Sequence, residues 1–353
     1  MSLIFCKWRP IVLMILVNLA LAIVNLLLKK VLSEGLSFLT IITYRQIVST
    51  LFLTPIAFFY ERKSKLDVHI LCLLFLSALV GVTFTQYLFL LGLGYTSATY
   101  SCAFLNMVPV FTFIMALPFG IEKVNLKSMS GRTKVLGSFT CIGGALLLGF
   151  YKGIPLTGIT TSHHKNLNTL SSPPSPPSSS SSSQWAIGSV LLTGGCLLWA
   201  SWFLIQDMIN KRYPFQYSST AILSLFGSIQ SAVLNLIINR NNNYATIWIL
   251  HGKLQILTVL YAGLVGSGLC YVAMSWCVKE RGPVFTASFT PLIQTFVAIL
   301  DLSILHEQIY LGSVAGSGIV IVGVYILLWG KSKEAQGQYV ASNVANQQDE
   351  ECQ

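Results

Sequence analysis

The side chains of this chain that could do chemistry are amides, hydroxyls and aromatic rings set inside long apolar stretches. Asn18 and Asn25 stand seven residues apart with Ala22 between them, so they share one face of a helix. Thr99, Cys102, Asn106, Pro109 and Phe113 line a second face, and Gly195, Trp199, Trp202 and Gln206 a third. Ala287, Thr290, Pro291, Gln294, Ala298 and Asp301 make a fourth, while Thr83 with Gln86, and Ser267, Tyr271 and Ser275, form shorter stripes. An amide can hydrogen-bond both the carboxylate and the ammonium of a small zwitterion, and Trp or Tyr can cover its apolar part. Asn18, Asn25, Gln86, Asn106, Trp199, Trp202, Tyr271 and Gln294 are therefore candidate solute-binding residues. The plainer reading of any such polar group is a bond between helices, worth about 0.6 kcal/mol each. That reading is preferred for Ser267 and Ser275, and Trp199 and Trp202 serve equally well as lipid-facing filler.

A second set has the character of hinges or gates. Pro109 and Pro291 lack an amide hydrogen, so each leaves a carbonyl one turn earlier without its usual partner. Arg45 and Asp301 lie inside apolar stretches, where charges are costly. They could pair across neighbouring helices, or Arg45 could snorkel to the interface alone. Glu122 and Glu307 fall just beyond the ends of apolar segments. The chemistry of catalysis is missing. There is no phosphate-binding loop, since Gly323 and Gly330-Lys331-Ser332 enclose six residues rather than four, and neither Gly-x-Ser-x-Gly nor His-Glu-x-x-His occurs. His69, His163, His164, His251 and His306 all fall in loops or at segment ends, and the eight cysteines have no zinc spacing and read as small buried hydrophobes. No metal, no cofactor and no enzyme activity is expected.

What must position these residues follows from charge. From Ile70 to Ile121 the chain runs 52 residues without Asp, Glu, Lys or Arg. A bilayer core is roughly 30 Å thick and a helix crosses it in about 20 residues, so that run contains at least two crossings. Across the whole sequence 54% of residues are hydrophobic and 10% charged, against roughly 25% charged in soluble domains. Ten spans are predicted, at about 10–28, 37–60, 70–91, 98–120, 135–151, 186–206, 217–238, 255–278, 284–305 and 311–329. Strand alternation is absent, and only helices or closed barrels satisfy their backbone in lipid, so the spans are helices. The first is too long for a cleaved signal peptide and lacks a small-residue cleavage site. With the amino terminus in the cytosol, Lys and Arg outside the spans number 15 on the cytosolic side and 6 on the outer side. That bias places both termini in the cytosol. It also accounts for the net charge of +10 without nucleic acid.

The halves repeat. Pro109 to Ala116 and Pro291 to Ala298 are both seven residues, and Glu122 to Leu126 and Glu307 to Leu311 both four. Between them lies Ser171–Ser183, made only of Ser and Pro, which reads as an extended or disordered outer linker. The expected units are a first five-helix repeat (1–152), the linker (153–184), a second five-helix repeat (185–330) and a disordered cytosolic tail (331–353). Two like units of five spans in tandem must insert with opposite orientation, so the fold class is an all-α integral membrane protein of two inverted five-helix repeats. Inverted repeats are the architecture of secondary transporters.

The motifs Tyr44-Arg45 through Pro55 and Glu61-Arg62-Lys63, Gly94–Thr99 through Asn106, Pro109 and Glu122-Lys123-Val124, Gly282–Phe285 through Pro291, and Glu307 through Leu311-Gly312-Ser313, Gly323, Tyr325 and Trp329-Gly330-Lys331 are together specific. On them the chain resembles the plant walls-are-thin-1-related (UMAMIT) transporters of the drug/metabolite superfamily, built of two EamA-type repeats. The resemblance covers about residues 8–334. It implies transport of amino acids, sometimes auxin or related metabolites, across the plasma membrane or alternatively the vacuolar membrane. The partners expected are a small-molecule substrate and the lipid bilayer. An ion or water channel is the alternative, disfavoured by the absence of charge rings.

Overall fold

In lipid a backbone can satisfy its polar groups only within itself, and every regular element of the described chain is a helix. The computed structural model describes residues 2–32, 38–61, 66–95, 104–121, 128–150, 179–239, 248, 250 and 252–305, and the helical positions 315, 316, 318, 319, 321–323, 325–327, 329, 330 and 333. The first half contains α1 (Ser2–Leu32), α2 (Phe38–Tyr60), α3 (Val68–Ala78), α4 (Thr85–Tyr95), α5 (Val108–Ala116) and α6 (Met129–Phe150). The second contains α7 (Ser179–Arg212), α8 (Gln216–Ile238), α9 (Lys253–Tyr261), α10 (Cys270–Arg281), α11 (Pro283–Ala287) and α12 (Thr290–Leu305). A six-residue π-helical stretch, Leu79–Phe84, joins α3 to α4, and an eight-residue one, Ala262–Leu269, joins α9 to α10.

Six stretches are long and apolar enough to cross a membrane: Trp8–Leu28, Leu39–Tyr60, Val68–Phe89, Ala186–Arg212, Gln216–Ile238 and Lys253–Arg281. Their outward faces are apolar as well. Phe59 is 80% exposed and Val190 72%, as suits a surface whose solvent is lipid.

Differences from the expected elements have local causes. Helix α7 begins at Ser179, inside the serine run and six residues before the expected end of the linker. The last barrier to helix, Pro177, lies just upstream, and nothing after it forbids the conformation. The predicted fourth and ninth spans are broken, α5 following a turn at Asn106–Met107 and α12 a turn at Ser288–Phe289. Most of the expected linker and tail, and Glu122 and Glu307, lie outside the described residues.

The packing is reciprocal between the halves. Helix α2 lies along α8, its counterpart by order in the other half. The α3–α4 stretch packs on α7 as the α9–α10 stretch packs on α1, and α7 meets α5 as α1 meets α12. A polar seam runs down the α2–α8 contact. Asn235 Nδ2 donates to Thr40 Oγ1 at 3.1 Å, Thr43 Oγ1 to Ser231 Oγ at 3.2 Å, and the Ser49 and Ser224 hydroxyls share a bond of 3.0 Å. At the far end of α2 the Glu61 carboxylate accepts the backbone amides of Tyr217 at 3.2 Å and Ser218 at 2.7 Å. It thereby satisfies orphan donors at the start of α8. Near the C-terminal end of the described chain glycine meets glycine. A Cβ at Gly137 would lie 2.6 Å from Leu327 N and 2.9 Å from Gly323 O, and one at Gly323 2.6 Å from Cys141 N. Backbones approach this closely only where side chains are missing.

Candidate functional site

Two interrupted helices face each other at the centre of the molecule. Pro109 and Pro291 are each the second residue of a helix that restarts after a two-residue turn. That position suits proline, whose missing amide would have had no helical partner there. The sequence predicts a kink at each proline; the structure has a break, and tight turns take up the freed groups. Phe104 O accepts the Met107 amide at 2.8 Å and the Cys196 thiol at 2.9 Å. On the other side Phe289 O accepts the Leu292 amide at 2.9 Å, and the Ser288 hydroxyl donates to Phe285 O at 2.7 Å. Asn106 lies in the first turn, three residues before its proline, and Gln294 three residues after the other. Asn106 Nδ2 donates to Gln294 Oε1 at 2.6 Å, a direct bridge between the two broken helices.

Beside this bridge an aromatic box is built from α7 and α10. Trp199 and Trp202 stack with ring centroids 5.3 Å apart, and Tyr271 stands edge-on to both, at 6.1 and 5.2 Å. Phe203 closes one side, 5.0 Å from Trp202. Val108, Cys196, Trp202, Phe203, Tyr271, Phe285 and Phe289 belong to one buried cluster, with Trp199, Phe104 and Leu292 packed against it. Box and bridge are thus parts of a single core. Trp202 takes its place because position 81, in the first π-helical stretch, is glycine and leaves room for the indole. Single π turns of this kind reposition side chains and recur at functional sites.

Arg45 completes the box. Its backbone carbonyl lies against Gly263 in the second π-helical stretch, and its side chain reaches the Tyr271 hydroxyl, interacting by charge and a side-chain hydrogen bond. Arg45 Nε, Trp202 Nε1 and Gln86 Oε1 are buried without a hydrogen-bond partner. All three are available to a solute, and the same holds for both amide atoms of Gln46 in the middle of the polar seam.

The other candidates are placed differently. Asn18 is buried, but its Nδ2 turns back onto Met14 O of its own helix at 2.5 Å. Asn25 is exposed, and Gln86 is half-buried at the start of α4. The Asp301 backbone is helical within α12, while its side chain lies outside the described residues. Ser275 joins helices together: Gln206 Nε2 donates to its hydroxyl at 2.8 Å, that hydroxyl donates to Asn210 Oδ1 at 3.1 Å, and Asn210 Nδ2 donates to its carbonyl at 2.8 Å. Sequence reasoning did not foresee the Arg45–Tyr271 contact, the Gly81–Trp202 fit or the role of Glu61. Only the first had a sequence signal, a lone cation inside an apolar span. An open cleft of about 340 Å³ lined by residues such as Thr50, Thr54, Phe58, Glu61 and Tyr213 lies at the Tyr60 end of α2 and shares no residue with the box. Among the described residues no cluster of His, Cys, Asp or Glu could hold a metal ion.

Comparison with known proteins yields the same picture. The model of the EamA-like transporter family matches twice, over residues 8–150 and 186–329. Two WAT1-related proteins of Arabidopsis thaliana are 52% and 50% identical over 330 and 329 residues, covering 92% and 93% of this chain and 87% and 88% of theirs. A third is 46% identical over 330 residues, 93% of this chain and 88% of its own. One solved crystal structure shares the fold with a TM-score of 0.63 at 10% identity, over 89% of this chain and 97% of its own.

Proposed function

Because this chain belongs to the EamA-like transporter family, and within it to the WAT1-related proteins, we propose that it carries small organic solutes, chiefly amino acids with auxin-like metabolites as a further class, by alternating access. It is a facilitator or secondary carrier. The observation that carries the reading is the 2.6 Å bridge between Asn106 and Gln294, which joins two discontinuous helices at matching places in the two halves. Discontinuous helices near the midplane, at the interface of two repeats, are where secondary transporters bind their solutes.

The finer architecture belongs to the same proposal: ten spans in two inverted five-helix repeats, with both termini cytosolic. It is supported by the reciprocal packing of the halves, by a π-helical stretch at the matching position in each, and by the positive-inside count. Residues 1–152 and 185–330 are then the repeats, joined by a linker over 153–184 and followed by a tail from 331. In this scheme Asn18, Asn25 and Gln86 line the path, Pro109 and Pro291 act as hinges, and Asp301, Glu122 and Glu307 guard its ends. The plasma membrane is the proposed site, the vacuolar membrane the alternative.

Proteoliposomes loaded with labelled amino acids, glutamine and tryptophan included, test the reading. Saturable flux with counterflow is expected, and flux no faster than empty vesicles across a broad panel of metabolites overturns it. Continuous conductance in a planar bilayer would instead identify a channel.

A further inference from the structure

We propose that Arg45 and Tyr271 form an anion subsite for the carboxylate of the solute, with the Trp199–Trp202 stack holding a flat apolar group attached to it. The inference rests on the carrier reading and narrows its substrate class to organic carboxylates, aromatic ones foremost.

The direction in which Arg45 points is the first argument. It lies seven residues from the Phe38 end of α2, roughly 10 Å in at 1.5 Å per residue. An arginine so placed can run its stem outward and leave the guanidinium in water. Arg45 does the reverse. Its carbonyl is level with Gly263, and Ser49, one turn further on, is level with Gly268. Tyr271 is therefore deeper along the same path, eight residues beyond Gly263 and ten from the Arg281 end of α10. The guanidinium reaches inward, to the aromatic box.

The second argument is what it finds there. No carboxylate of the described residues pairs with Arg45; its partner is a neutral phenol, and its Nε is buried with no acceptor. A cation withdrawn from water without a counter-ion is costly, and a planar guanidinium is shaped to take a carboxylate through two parallel bonds. A solute carboxylate supplies both the missing charge and the missing acceptor. The third argument is the adjoining surface. Tyr271 stands 5.2 Å from the Trp202 ring, whose buried indole N–H is also unpartnered, and Trp199 beyond it is half-buried and so offers an accessible ring face. Charge, donor and ring surface are contiguous, in the order an aryl carboxylate presents them.

The test uses the full chain in lipid nanodiscs and three probes of one shape: phenylacetate, its neutral amide phenylacetamide, and phenethylamine. Equilibrium binding should favour phenylacetate at least tenfold over the other two. Arg45→Gln should abolish that preference, Arg45→Lys should retain part of it, and Tyr271→Phe should weaken phenylacetate severalfold. Equal binding of acid and amide by the unmodified chain, or a preference that survives in folded Arg45→Gln, overturns the assignment. If Arg45→Gln does not fold, unchanged phenylacetate affinity in Tyr271→Phe does so. Binding is read without flux, so the two proposals fail separately. A chain that prefers the acid yet moves nothing sinks the carrier reading, and one that moves neutral solutes without preferring the acid sinks the subsite.

Discussion

The indole of Trp202 occupies the volume that a side chain at Gly81 would need: a Cβ there would fall 2.9 Å from the Trp202 Cβ and closer still to Cγ and Cδ1. The π-helical stretch of the first half and the aromatic box of the second are fitted to each other through this one missing side chain.

Gly81→Ala should therefore displace the Trp202 ring and break its stack with Trp199. Overpacking a filled core costs about 1–3 kcal/mol, more than the roughly 1 kcal/mol by which alanine outranks glycine in a helix. A lower unfolding midpoint and an altered near-ultraviolet dichroism from the paired indoles are expected. Retention of both signals would mean the fit is looser than the structure has it.

Asn106→Ala and Gln294→Ala should each slow solute flux, and the double variant should be little worse than either alone. The two amides share one bond, so their effects cannot add; coupled neighbours typically show interaction energies of about 0.5–3 kcal/mol. Initial rates in proteoliposomes close the cycle, and strictly additive losses would show that the amides act independently.

Gly137→Leu and Gly323→Leu should force apart the two backbones that meet there, since even a Cβ at either position would lie 2.6 Å from a backbone nitrogen. Gly143, on the same helix as Gly137, has nothing within 4 Å of the corresponding point. Gly143→Leu is the control, expected to be neutral. Thermal unfolding in detergent compares the three, and equal behaviour would refute the close approach.

Glu61→Gln should weaken the start of α8 by removing a charge that two backbone amides share, a loss of about 0.5–2 kcal/mol. The readout is chemical unfolding, with Glu61→Asp included. If the glutamine variant is as stable as the parent, the carboxylate is incidental to the cap.

Much of the protein was legible one residue at a time. The 52-residue stretch without charge announces lipid because hydropathy is a local property, and helix follows because lipid leaves a spanning segment few alternatives. Asn106, Trp199, Trp202, Tyr271 and Gln294 could be singled out for the same reason: a polar or aromatic group on an apolar face stands out without knowledge of its neighbours. Periodicity tells which residues share a face, but not which helix that face meets. Hence Asn106 and Gln294 were separate candidates until the fold bonded them. Arg45 could be matched on paper with Asp301, whereas the structure turns it toward Tyr271. The broken helices at Pro109 and Pro291, the two π-helical stretches and the seat of Trp202 on Gly81 were likewise decided only by tertiary structure. Each depends on contacts between residues a hundred or more positions apart, and the packing of large rings against missing side chains leaves no periodic trace in the chain.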